Sequence, residues 1–172
     1  MDSSFDAFFD LVFPQAEKVA RRITGDRAAA EDIAAEALAR AFARWARLQR
    51  HPSPEAWVLR ATINLAVDRS RRRGNAASKA HQLGAAGAGG ADVAGVGADL
   101  LAIRMALTEA LHRLPKRQRH VVAMRYLADM SEADVADALG ISRGSVKTHL
   151  SRALSKLRID ASLTEVANVE PI

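Results

Sequence analysis

Between Arg143 and Arg158 the chain reads RGSVKTHLSRALSKLR, with Arg143, Lys147, Arg152, Lys156 and Arg158 and no acidic residue among them. Long cationic side chains along one helix suit a polyanion: Arg and Lys reach guanine edges and phosphates in a major groove, while Ser and Thr make shorter contacts. Val146, Leu150, Leu154 and Leu157 recur at helical spacing in the same stretch, which predicts a helix with an apolar stripe inward and its basic face outward. Upstream, Ser131 is suited to cap a shorter helix whose Val135, Ala136 and Leu139 face inward. Gly140 supplies left-handed backbone for a sharp turn, Ile141 plugs it, and Ser142 caps the basic helix. This is the outline of a helix-turn-helix for duplex DNA; an ordinary helix pair with a solvated basic face is the alternative. The basic helix holds neither Asn nor Gln, so bidentate readout of adenine from it is not expected.

A second constellation lies between Pro54 and Arg73. Leu59, Ile63 and Ala66 share one face of a helix, while Trp57, Arg60, Asn64, Asp68 and Arg71 follow one another at spacings of three or four on another. An aromatic ring, an amide and guanidinium groups on one strip match what an unpaired strand needs: stacking surfaces, base-edge hydrogen bonds and cations. A plain core anchor is the competing reading of Trp57, and for Asn64 both readings stand. Arg69, Arg71, Arg72 and Arg73 crowd the helix end, where cations suit both the helix dipole and phosphates.

A third group lies on the helix before it. Asp26 is a plausible cap; Ala34, Leu38, Ala41, Phe42 and Trp45 form the expected inner stripe, leaving Asp32, Glu36 and Arg40 on a largely acidic outer patch. Glu31, Asp32 and Glu36 could serve as metal ligands or acid-base groups, but no His or second carboxylate pair is placed to complete a site. His51, His81, His112, His120 and His149 show no metal-ligand spacing. No catalytic residue, metal or cofactor is expected, and the chain is not expected to be an enzyme.

The elements that must position these groups read as helices throughout. Phe5, Phe8, Phe9 and Val12 mark a short first helix that Pro14 ends or kinks while opening the next, which carries Val19 and Ile23 and stops at Gly25. Arg47 to Pro54, with two prolines, reads as an exposed basic loop. Gly74 to Ala98 holds seven of the ten glycines and reads as a flexible linker. Beyond it, Leu100, Leu107, Leu111 and Leu114 mark a helix, Pro115 opens another with Val121, Val122, Met124 and Tyr126 on its apolar side, and the residues from Leu163 to Ile172 read as a loose tail. The expected fold is all-α: a helical domain at 1–73, the linker at 74–98, a second helical domain at 99–162 and a tail at 163–172.

The 172 residues carry a net charge of +5 and a pI near 10.2, which favours polyanionic partners. With no cysteine, disulfides and thiolate sites are excluded. No apolar run approaches a membrane span, and Met1-Asp2-Ser3-Ser4 lacks the order of a signal peptide, so a cytoplasmic protein is expected.

Taken together, Thr24 to Trp45 (TGDRAAAEDIAAEALARAFARW) and Pro54 to Arg73 (PEAWVLRATINLAVDRSRRR) resemble region 2 of the extracytoplasmic-function (ECF) sigma factors of bacterial RNA polymerase. LHRLPKRQRHVVAMRYLADMSEADVADALGISRGSVKTHLSRALSKLR resembles their region 4. The resemblance implies a promoter-specificity subunit with core RNA polymerase and promoter DNA as partners. It places Asp32, Glu36 and Arg40 against the clamp of the polymerase largest subunit, although Ala35 stands where the family commonly has glutamine and Leu38 where an aromatic is frequent. It further implies capture of a flipped minus-10 base at Asn64, with the loop Arg47 to Pro54 forming part of the pocket. Trp57, Arg60, Arg69, Arg71 and Arg72 belong to the same minus-10 set, and Arg73 completes the arginine cluster. Arg143, Ser145, Lys147, Thr148, Ser151 and Arg152 match the positions facing the minus-35 duplex. Members are often held by an anti-sigma factor, which makes one a possible further partner. The alternative to this reading is a dimeric helix-turn-helix regulator, which accounts for Ser131 to Arg158 and leaves the Trp57–Asn64 face unexplained.

Overall fold

The computed structural model describes residues 3–82 and 96–167, all of whose regular elements are α-helices. The chain divides into two compact units, one reaching to His112 and the other starting at Arg113. The first contains α1 (Ser3–Thr24), α2 (Arg27–Phe42), α3 (Trp45–Leu48), α4 (Pro54–Gln82) and nearly all of α5 (Val96–Arg113); the second contains α6 (Lys116–Tyr126), α7 (Glu132–Leu139) and α8 (Arg143–Ala167).

The core of the first unit lies where α1, α2 and α4 pack on one another. Val12, Val19 and Ile23 of α1, Ile33 and Leu38 of α2, and Val58, Leu59, Ile63 and Val67 of α4 are at most 1% exposed. Pro14 lies inside α1, so of the two expected outcomes it does not end the helix, and Val19 and Ile23 sit on the same helix as Phe5 rather than on a next one. Proline forfeits one amide donor, but Val12 and Ala16 are buried on either side of it, and the apolar burial they share outweighs that loss.

α2 turns a row of alanines inward, Ala30, Ala34, Ala37 and Ala41, all fully buried. Its expected stripe ends early. The chain breaks at Ala43–Arg44, so Phe42 is left 49% exposed and lies against Phe5 with ring centroids 4.8 Å apart. Trp45 belongs instead to α3, where it is buried and its indole N–H donates to Ser4 Oγ at 3.0 Å. The loop expected from Arg47 therefore begins inside a helical turn, because Leu48 is buried and anchors it.

α4 does not stop at Arg73. It continues through Gly74 and the alanine-containing stretch to Gln82, so the first nine residues of the expected linker are helical. Ala76, Ala77 and Ala80 are strong helix formers, and one glycine costs a helix only about 1 kcal/mol. At the far end of the expected linker, 96–98 already belong to α5; residues 83–95 lie outside the described residues.

In the second unit the turn chemistry follows the sequence closely. Ser131 Oγ accepts from Asp134 N–H at 3.1 Å and the Asp134 carboxylate accepts from Ser131 N–H at 3.1 Å, a reciprocal capping box. Gly140 ends α7 in the left-handed region (φ 62°, ψ 41°), and Ile141 N–H reaches back to Ala136 O at 3.0 Å. Ser142 Oγ accepts from Ser145 N–H at 3.0 Å and so caps α8. Two details differ from expectation. Along α8, among the side chains described, Val146 and Ala153 are fully buried and Leu150, Leu154 and Leu157 half-buried; Tyr126, expected on an apolar side, is 49% exposed, with the Arg125 guanidinium 5.8 Å from its ring. α8 also continues through 163–167, the first half of the expected tail.

Candidate nucleic-acid interfaces

The outward strip of α4 is a direct consequence of helical rotation. Val58, Leu59, Thr62, Ile63, Ala66 and Val67 are buried on one side. At 100° per residue, Trp57, Arg60, Asn64, Asp68, Arg71 and Arg72 fall on the opposite side; the first three are half-buried and the last three exposed. Trp57 is half-buried and faces two ways. One part of its ring packs on the cluster that includes Phe5, Phe8, Trp45 and Leu48, and another forms a wall of an open groove of about 790 Å³ shared with Arg44, Arg47, Arg50 and His51. Asn64 lines a separate crevice of about 400 Å³ between α2 and α4, beside Glu36, Arg40, Asp68 and Arg72. The structure thus places the amide next to two residues of the outer face of α2.

The arginines at the end of the expected fourth helix do not form one free cluster. Arg69 Nη2 donates to Asp32 Oδ2 at 3.0 Å and Arg73 Nη1 to Asp26 Oδ2 at 2.8 Å, both tying α4 to α2 or its cap. Arg71 reaches α5, with Nη1 donating to His112 Nε2 at 3.3 Å and Nε 3.8 Å from Glu109 Oε2. Arg72 lines the Asn64 crevice.

Asp32, Glu36 and Arg40 are all exposed on α2, as the sequence required. The patch is more evenly charged than its composition suggested. Besides the Asp32–Arg69 pair, Arg40 Nη2 donates to Glu36 Oε1 at 2.6 Å and Arg27 Nε to Glu31 Oε1 at 2.8 Å. At the helix start, Asp26 accepts from Ala29 N–H at 3.1 Å; this bond first, then that from Arg73, holds its carboxyl below the usual range. Among the described residues no group of three or more His, Cys, Asp or Glu is placed to hold a metal ion.

On α8, Arg143, Lys147, Thr148, Ser151 and Arg152 are exposed and Ser145 is half-buried. Two of the three short hydroxyls are partly occupied: Thr148 Oγ1 donates to Gly144 O at 2.9 Å, and Ser145 Oγ lies 2.9 Å from Ser142 Oγ. Both retain acceptor lone pairs. The cations are the groups that project fully.

Sequence reasoning missed Arg44. It sits at the break between α2 and α3, exposed, with its guanidinium 5.9 Å from the centre of the Trp57 ring. Its signal was the spacing Arg44, Arg47, Arg50, legible only once the helical turn of α3 was known to connect them.

Comparison with known proteins finds a match for both halves of the chain. The family model described as Sigma-70 region 2 matches residues 8–76, and that described as Sigma-70, region 4 matches residues 104–157. The RNA polymerase sigma-E factor of Streptomyces coelicolor is 34% identical over 139 residues, covering 81% of this chain and 75% of that protein. The ECF RNA polymerase sigma factor SigL of Mycobacterium tuberculosis is 32% identical over 145 residues, covering 83% and 80%. This chain belongs to the ECF sigma factors. It is accordingly a transcription-initiation sigma factor, a class of DNA-binding regulators rather than enzymes. The ECF sigma factor SigW of Bacillus subtilis is 27% identical over 168 residues, covering 89% and 88%. Among solved structures, the sigma factor RpoE of Bartonella quintana, in complex with the anti-sigma factor NepR, aligns over 92% of this chain and 97% of its own, at 21% identity and a TM-score of 0.49. No described helix of this sigma factor is long and apolar enough to cross a membrane.

Proposed function

We propose that the sigma factor docks on core RNA polymerase through Asp32, Glu36 and Arg40, holds the unpaired minus-10 strand on the outer strip of α4, and reads the minus-35 duplex with α8. Its partners on this reading are core polymerase and promoter DNA in the cytoplasm, with an anti-sigma factor as a further occupant of the α2 face. It carries out no bond chemistry of its own. The supporting observation is the division of α4 into a fully buried side and a side bearing Trp57, Arg60, Asn64 and Arg72. A stacking ring, an amide and cations along one exposed edge suit single-stranded nucleic acid, and an unstacked base costs a few kcal/mol that such a strip offsets.

Arg69 is assigned a shared role, because its pair with Asp32 is exposed at both ends and exchangeable for a phosphate. On α8, Arg143, Lys147 and Arg152 supply phosphate or guanine contacts, with Ser145, Thr148 and Ser151 closer to the groove. In transcription reactions with core polymerase and a promoter library, Asn64→Ala reduces strand opening more than duplex binding, and Lys147→Ala weakens minus-35 engagement first. Equal effects of both substitutions on both steps would contradict the division.

A further inference from the structure

We propose that Arg44 is a strand-holding residue of region 2, which seats a nucleotide by laying its guanidinium beside the Trp57 ring and binding the adjoining backbone phosphate. The proposal rests on the reading of α4 as the minus-10 surface and adds a residue that this reading does not contain.

Three observations place Arg44 in this role. First, it is aimed. The α2–α3 break leaves Arg44 with φ −121° and ψ 13°, and its Nη1 donates to Arg40 O at 3.2 Å, one of the unsatisfied carbonyls at the end of α2. One end of the guanidinium is thus held by backbone while its plane stays near the indole, at 5.9 Å from the ring centre. Second, it heads a row. Arg47 N–H bonds Arg44 O at 3.0 Å and Arg50 N–H bonds Arg47 O at 3.3 Å, successive three-residue turns. All three side chains are exposed and line the same groove, which sets Arg44, Arg47 and Arg50 along one side of it. Third, the row borders a cavity with room for a ligand. The groove of about 790 Å³ is lined by these three arginines together with His51, Pro52 and Trp57, and no acidic side chain lines it.

That combination selects the occupant. A duplex presents paired, stacked bases and offers no π-face to Trp57, whereas a single strand offers a base to the ring and a phosphate to the row. Elsewhere on α4, Arg69, Arg71 and Arg73 each face a carboxylate of the same chain. The Arg44 row is the stretch of cationic surface at this site whose groove is bordered only by basic and uncharged groups.

The test is binding of a fluorescent, short single-stranded DNA of random sequence by the full chain assembled with core polymerase, measured across a salt series. Each phosphate contact on single-stranded DNA contributes about 0.7 to the slope of log affinity against log salt, which is about fivefold in affinity near 0.1 M salt. Arg44→Gln keeps a planar donor for Arg40 O and removes the charge; it is expected to lower the slope by about 0.7 and the affinity about fivefold. Arg44→Lys is expected to keep the slope while losing part of the affinity, since an ammonium lacks the planar face. Unchanged slope and affinity in Arg44→Gln, alongside weakened binding in Asn64→Ala and Arg60→Ala, overturns the role of Arg44 and leaves the α4 surface standing. Unchanged binding in all three variants overturns the α4 reading itself. A loss of affinity in Arg44→Gln with no change of slope assigns Arg44 to packing against Trp57 and overturns the phosphate contact.

Discussion

Arg69 of α4 and Asp32 of α2, 37 residues apart in the chain, meet at 3.0 Å. One is a residue expected on DNA and the other a residue expected on polymerase, so the two surfaces of region 2 share an ion pair. The side chains are 48% and 66% exposed, and a surface pair of this kind stabilises by about 0–1 kcal/mol. Arg69→Ala should therefore barely move the thermal midpoint. On the proposed docking, Asp32 leaves or shares Arg69 to meet polymerase, so the same substitution should tighten core binding by up to about fivefold, whereas Asp32→Ala should weaken it. Titration of labelled sigma factor with core polymerase measures both; weaker binding in Arg69→Ala would show that the pair docks as one unit.

Leu38 and Phe42 occupy successive turns of α2 and look alike in sequence, but one is 1% exposed and the other 49%. Leu38→Ala leaves a cavity among α1, α2 and α4 and should cost about 2–5 kcal/mol in urea unfolding. Phe42→Ala loses mainly its contact with Phe5 and should cost about 1 kcal/mol. Equal costs would place Phe42 in the core after all.

Two carboxyls give the stability a pH dependence with a defined sign. Asp26 is held below the usual range first by the Ala29 amide and then by Arg73; Asp134 is held there first by the Ser131 hydroxyl and then by the Ser131 amide. A carboxyl whose folded pKa is depressed contributes stability that is complete above its unfolded value, about 3.9, and disappears as pH falls through the folded one. Thermal midpoints should accordingly hold steady near neutrality and drop below about pH 4. Asp26→Asn and Asp134→Asn should each flatten that drop; a wild-type slope in both variants would show that other carboxyls dominate.

The parts of this fold that were legible in the sequence are those governed by one local rule. Ser131, Gly140 and Ser142 each act within a few residues of themselves, and the α4 strip follows from rotation about a single axis. Misreadings arose where a distant contact decided. Pro14 reads as a break until the burial of Val12 and Ala16 is known, and Phe42 reads as core until the turn at Ala43 is known. Gly74 reads as a linker start because composition changes there, yet the helix persists to Gln82. Among the site residues, exposure of Asp32, Glu36, Arg40 and Lys147 was predictable from periodicity. The partners of Arg69 and Arg73 were not, since Asp32 and Asp26 lie on another helix and no spacing rule links them.

Beside Ile33 and Leu38, the inner side of α2 is built from methyl groups. Ala30, Ala34, Ala37 and Ala41 give it little shape that a neighbour must match, and they leave no polar atom there to satisfy. Substitutions on the outward side therefore need no compensation from beneath. On the proposed docking, a lineage can rewrite what this helix says to its partners, residue by residue, while the scaffold that carries the message stays the same.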